Sequence, residues 1–122
     1  MLSLPPTIRI WLSAEPVDLR KSFDSLAALV RDGLQSDPLS GDLFAFRNKT
    51  GDRIKLLQWE EDGYSIWYKR LEAGTFRFPR PLGAQPRVEI RAADLVMLLE
   101  GVDLSSVKRG KRYHRPVARV SI

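Results

Sequence analysis

Hydrophobic residues along the chain recur first at two-residue and then at three- and four-residue steps, and these periods mark its elements. In Thr7-Ile8-Arg9-Ile10-Trp11-Leu12, the residues Ile8, Ile10 and Leu12 share one side of an extended chain and predict a first strand. Leu19, Phe23, Leu26, Val30 and Leu34 then follow a helical period, which predicts the longest helix, with Phe23 buried beneath it. Asp18 is placed to cap its first amides, and Gly33 or Asp37-Pro38 to stop it.

Strand patterns return in Leu43-Phe44-Ala45-Phe46-Arg47 and Arg53-Ile54-Lys55-Leu56-Leu57-Gln58-Trp59, separated by the turn residues 48–52, and predict a β-hairpin with a basic tip. Residues 64–70 continue the meander, residues 75–79 form a candidate edge strand ending at Pro79, and Arg87-Val88-Glu89-Ile90 is a candidate returning strand. A shorter helix is expected from Ala92 to Glu100, with Leu95, Leu98 and Leu99 as its apolar stripe and Gly101 as its stop. The fold class expected is α+β: a small antiparallel β-meander with one long and one shorter helix packed on one face, and a basic flexible C-terminal tail. The division expected is one compact domain over residues 1–107 and a tail over residues 108–122.

Charge sharpens this division. The 122 residues hold 20 Lys and Arg against 15 Asp and Glu, a formal net charge of +5. Lys108, Arg109, Lys111, Arg112, Arg115 and Arg119 have no acidic neighbour, so residues 108–122 carry +6 and the preceding 107 residues carry −1. A short polycationic arm points to a polyanion partner, with nucleic acid favoured over a membrane surface. With no cysteine, the chain has no disulfide framework, thiolate metal site or cysteine nucleophile. His114, the one histidine, lies in the tail without a carboxylate nearby to orient it as a base. Pro5, Pro6 and Arg9 break the early apolar residues before a signal peptide or membrane span develops, so a soluble, cytoplasmic protein is expected.

Glu60, Glu61 and Asp62 lack the alternating ligand spacing of a calcium loop and read as a solvated turn. Asp18, Asp24, Asp52 and Asp94 are too scattered in sequence to define a two-metal site. The isolated glycines lack the pattern of a phosphate-cradling loop. Arg47, Lys49, Arg53 and Lys55, opposed only by Asp52, make the hairpin tip a candidate phosphate-contacting surface. A second group, Lys69, Arg70, Arg77, Arg80, Arg87 and Arg91, surrounds the proline-rich stretch without a spatial assignment. Tyr64, Tyr68, Trp59, Trp67, Phe76 and Phe78 are candidates for base stacking where exposed, although strand aromatics more often fill a core.

Several motifs occur together in order: Val17-Asp18-Leu19-Arg20-Lys21-Ser22-Phe23-Asp24-Ser25-Leu26, then Leu43-Phe44-Ala45-Phe46-Arg47-Asn48-Lys49, Asp52-Arg53-Ile54-Lys55-Leu56-Leu57-Gln58-Trp59, Asp62-Gly63-Tyr64, and Lys69-Arg70-Leu71-Glu72-Ala73-Gly74-Thr75-Phe76. Over roughly residues 6 to 105 the chain resembles the TnpB, or Orf2, accessory proteins of the insertion-sequence-66 family of bacterial transposable elements. The resemblance implies a part in transposition alongside a separate, larger transposase, and it supplies no catalytic residues. Asp18, Arg20, Lys21, Phe23 and Asp24 match at the expected helix start, and Arg47, Asp52, Arg53, Lys55 and Trp59 match in the hairpin.

The expected function is therefore that of a non-catalytic accessory protein, without cofactor or metal, that binds DNA and assists the transposase. The alternative is a protein-interaction adaptor with little direct DNA contact. The residues expected at a nucleic-acid or partner contact are Arg20, Lys21, Arg47, Lys49, Arg53, Lys55, Lys108, Arg109, Lys111, Arg112 and Arg115. Pairing of Arg20 and Lys21 with Asp24 across a helical turn is the structural alternative for those two.

Overall fold

A computed structural model describes residues 7–102. The hairpin stands at its centre: β2 (Leu43–Arg47) pairs antiparallel with β3 (Arg53–Trp59), opposing Phe46 to Lys55 and Arg47 to Ile54. β4 (Tyr64–Arg70) continues the meander antiparallel to β3. On the other side of β2 lies β1 (Ile10–Ser13), followed by β5 (Arg87–Ile90), so the five strands run in the order β4-β3-β2-β1-β5.

The α+β class and the meander match the expectation, but the sheet is mixed, because β1 pairs parallel with β2. The physical reason lies in the connection between them. Parallel neighbours need a long crossover, commonly a helix, and α1 (Phe23–Asp32) occupies the stretch between these two strands. β5 then closes on β1 in antiparallel register, with Ile10 opposite Ile90 and Leu12 opposite Val88. Residues 75–79 form no strand. Instead Phe76 is buried and donates its backbone N–H to the carbonyl of Gly51 at 2.8 Å.

Strand alternation assigns the two cores. Ile10, Leu12, Leu43, Ala45, Ile54, Leu56, Val88 and Ile90 cluster with Phe76 and with Leu95 and Leu98 of α2 (Ala92–Leu99). Trp11, Phe44, Phe46 and Leu57 instead cluster with Leu26, Ala27, Val30 and Leu34. The two helices therefore contribute to separate cores. Rather than sharing one face, each covers its own, because both sets of alternating side chains in β2 are apolar and both require burial.

The helix begins later than its periodicity suggests. Ser22 is the residue before its first turn, and the Ser22 backbone N–H donates to the Ser25 hydroxyl at 3.0 Å. Asp18 is unavailable to cap it, since its carboxylate accepts from the Arg20 backbone N–H at 2.9 Å. Phe23 consequently sits in the first turn with 45% of its surface exposed, contrary to the expected buried position. Leu19 remains buried in the loop preceding the helix. Gly33 ends α1, and its N–H returns to the carbonyl of Leu29 at 2.7 Å.

Two-sided packing has a measurable consequence. Val30→Ala trims the α1 core, and Ile90→Val trims the α2 core by a methylene, costing about 0.5–1.5 kcal/mol. Urea denaturation of the single and double variants is expected to give additive losses within about 0.5 kcal/mol, as for sites separated by a sheet. A larger coupling would contradict two separate cores.

Candidate nucleic-acid interface

The hairpin end is shaped by a loop held together internally. The Asp52 carboxylate oxygen Oδ1 accepts from Asn48 Nδ2 at 2.7 Å and from Thr50 Oγ1 at 2.8 Å, while Asn48 Oδ1 accepts the Arg53 backbone N–H at 3.0 Å. These hydrogen bonds lower the Asp52 pKa, with Asn48 as the leading cause. Gly51 adopts φ +79°, a left-handed conformation suited to glycine, and an added Cβ would come within 3.3 Å of Thr75 Cβ. The loop is also tied outward by the Leu71 N–H, which donates to the Asp52 carbonyl at 2.7 Å.

Against one side of this loop packs the segment preceding α1, and between them lies a cleft of about 850 Å³. Arg20, Lys49, Arg53, Lys55 and Tyr68 line it, together with Asp18 and Asp52. Residues more than thirty positions apart in sequence thus share one concave surface. Arg53 and Lys55 alternate onto the same face of β3, and Tyr68 lies directly opposite Lys55 on β4. The Arg53 Nη1 donates to the Tyr68 hydroxyl at 2.9 Å, and the Lys55 ammonium stands 4.8 Å from the Tyr68 ring centroid. Two cations therefore hold a tyrosine that remains 47% exposed.

Lys55 has a second task. It is largely buried, and its Nζ donates to the backbone carbonyl of Lys21 at 2.7 Å. This bond fastens the pre-helical segment to β3 and forms one side of the cleft. Lys21 contributes that carbonyl but is not among the residues lining the cleft. Arg20 and Lys21 precede α1 instead of sitting in it, so in place of the alternative helical pairing with Asp24, Arg20 forms a local pair with Asp18. Arg20 Nη2 lies 2.7 Å from Asp18 Oδ2. Hydrogen bonds from the Arg20 side chain, followed by that from its backbone, hold the Asp18 pKa at about 2, below its ordinary value of 3.8.

Arg47 faces the other side of the hairpin from Arg53 and Lys55. Its Nη2 donates to the Ala14 carbonyl at 3.4 Å, and its guanidinium carbon stands 5.3 Å from the centre of the Phe78 ring. Lys108, Arg109, Lys111, Arg112 and Arg115 lie outside the described residues. The second basic group of the sequence is dispersed: Arg70 pairs with Glu72, Arg91 with Asp94, and Arg87 stacks 4.0 Å from the Trp11 ring centroid and bonds Ser36. Arg77 and Arg80 meet Arg47 beside the hairpin end.

Tyr68 is the cleft residue that sequence reasoning underweighted, because the aromatics were expected chiefly in the core. Its visible signal was the adjoining Lys69-Arg70 at the polar end of β4. Trp67 and Phe76 do pack with the core, while Trp59 meets Tyr64 edge-on with their ring centroids 5.0 Å apart. The acidic stretch 60–62 lies away from the cleft, with Glu60 Oε2 accepting from Ser65 Oγ at 2.7 Å. Among the described residues, no group of three or more acidic or histidine side chains is placed to hold a metal ion, and no helix is long and apolar enough to cross a membrane.

Taken together, the mixed sheet, the two helices and the cleft define a small α+β protein with a cationic cleft at one hairpin end. The chain belongs to the family described as IS66 Orf2 like protein, which matches residues 8–109. This is a transposition-associated family of non-catalytic accessory factors. Two relatives come from Sinorhizobium fredii (strain NBRC 101917 / NGR234). Uncharacterized protein y4jC is 36% identical over 112 residues, covering 92% of this chain and 90% of its own. Uncharacterized protein y4hO is 35% identical over 103 residues, covering 84% and 88% respectively. No solved structure matches the chain.

The Asp18–Arg20 pair provides a direct check on the geometry at the cleft. A carboxylate whose folded pKa is depressed contributes stability above its unfolded pKa and loses it as pH falls through the folded value. An NMR titration of the Asp18 side-chain carboxyl is expected to give a midpoint near 2. In Arg20→Ala the midpoint should rise toward 3.8, and an unchanged midpoint would show that Arg20 is not its cause.

Proposed function

We propose that this protein is an accessory DNA-binding factor of a transposition complex, using the cleft at the hairpin end to contact the phosphodiester backbone while a separate transposase performs the chemistry. The observation that carries the reading is the convergence of Arg20, Lys49 and Arg53 on a cleft that also presents an exposed tyrosine. Arginine and lysine neutralise phosphates by displacing condensed counterions, while Tyr68 offers an aromatic surface for a sugar or an unstacked base. Asp18 and Asp52 leave the cleft cationic because Arg20, Lys49, Arg53 and Lys55 outnumber them among its lining residues.

The basic residues 108–122 fit the same role as a sequence-independent arm that raises affinity for DNA. Phosphate contacts of this kind position a protein without reading bases, so recognition of particular element ends would come from the transposase or from DNA shape. A second reading is an adaptor for the transposase with little DNA contact of its own. It is favoured by Phe23, a half-exposed aromatic at the start of α1. Association with the transposase that survives nuclease treatment and is lost in Phe23→Ser would favour this adaptor.

The DNA reading is tested by binding of an element-end duplex and an unrelated duplex across a salt series. The intact chain, a chain ending at Ser105, and the Arg20→Gln/Arg53→Gln variant are compared. The intact chain should bind both duplexes with affinity falling steeply as salt rises. Loss of two phosphate contacts in the double variant should flatten the log–log slope by roughly 2. Absent or salt-insensitive binding by the intact chain would exclude direct backbone recognition.

A further inference from the structure

On the opposite side of the hairpin loop is a separate groove of about 570 Å³. The sheet register separates it from the cleft. Arg47 pairs with Ile54 and belongs to the side of the sheet that carries Ala45 and Leu56, whereas Arg53 and Lys55 alternate to the other side. Arg47, Lys49, Arg77 and Arg80 provide four cationic side chains to the groove, and none of its lining residues is a carboxylate. Thr50 and Thr75 add hydroxyl groups to its wall.

We infer that this groove is a second subsite for a phosphodiester backbone, so that bound nucleic acid brackets the hairpin end on both faces of the sheet. The inference rests on the DNA-binding reading and adds residues and a surface to it. The groove is preassembled. The Phe76 N–H donates to the Gly51 carbonyl at 2.8 Å and thereby fastens the segment carrying Arg77 and Arg80 to the loop carrying Lys49. Arg47 is oriented by the Ala14 carbonyl and the Phe78 ring, which leaves a planar, multiply donating guanidinium with little freedom to lose when an anion arrives.

The charge arrangement supports the same conclusion. Burial lowers the Arg47 pKa; the nearby carboxylate of Glu15 opposes the change, and the positive charge of Arg80 adds to it less strongly than Glu15 opposes it. The four cations lining the groove repel one another, and an anion placed among them relieves that repulsion. A polymeric anion is indicated over a single small one because Lys49 and Thr50 line both the groove and the cleft, joining the two surfaces around the loop.

The test uses the intact chain, Arg80→Gln, Arg80→Lys and the Arg20→Gln/Arg53→Gln variant, each titrated with a duplex and with a single strand of equal length across a salt series. Arg80→Gln should weaken binding and reduce the log–log salt slope by about 1, while Arg80→Lys retains the slope because it retains the charge. The melting temperature of Arg80→Gln should match that of the parent, since only an exposed side chain is changed. A greater slope loss with the duplex identifies double-stranded backbone as the groove's ligand; a greater loss with the single strand identifies single-stranded backbone. Parental affinity and slope in Arg80→Gln, together with weakening in the Arg20/Arg53 variant, would overturn the groove and leave the cleft standing. Weakening in Arg80→Gln alone would support the groove and overturn the cleft. Failure of the intact chain to bind either nucleic acid would overturn both.

Discussion

Burial of both sides of β2 is the constraint on which the architecture depends. Leu43 and Ala45 project to one side, Phe44 and Phe46 project to the other, and all four are removed from water. A strand of this kind cannot lie at a solvated edge, and it needs cover above and below. β1 and β3 flank it, α1 packs over the phenylalanines, and α2 with Phe76 packs over the opposite side. The parallel β1–β2 pair follows from the same demand, because the crossover between these strands is the segment that supplies α1.

This packing also creates the candidate interface. The β2–β3 hairpin ends in a loop whose donors and acceptors are largely satisfied by Asn48, Thr50, Asp52 and the neighbouring backbone. Strand alternation then distributes the flanking cations, with Arg47 on one side and Arg53 and Lys55 on the other. Lys55 illustrates how structure and recognition overlap: its ammonium anchors the Lys21 carbonyl, so the cleft's shape depends on a cation that a charge count would assign entirely to ligand binding. Arg20 reaches the cleft through the loop that this anchor holds in place.

Much of the secondary structure was legible from residue periodicity. The meander, the hairpin turn, the Gly33 stop and both helices are encoded in short-range patterns. The displaced elements share a physical cause. Asp18 is a good cap by residue type, yet its carboxylate is engaged by Arg20, so the helix starts after Ser22 and Phe23 is left half-exposed. Residues 75–79 alternate like a strand, but Phe76 is drawn into the core and bonds Gly51 in place of a strand partner. The helix between two strands was also a visible signal for parallel pairing, and reading the chain as a simple meander passed over it.

By itself, the sequence determined the elements, the concentration of positive charge in residues 108–122, the basic hairpin and the family resemblance, because each is carried by neighbouring residues or by motifs in linear order. Tertiary structure alone decided which cations meet. Arg20 joins Arg53 and Tyr68 across the pre-helical loop, and Arg77 and Arg80 join Arg47 across the hairpin. Those meetings depend on strand register and on burial of β2 from both sides. Such long-range constraints act between residues tens of positions apart and leave no local period in the chain.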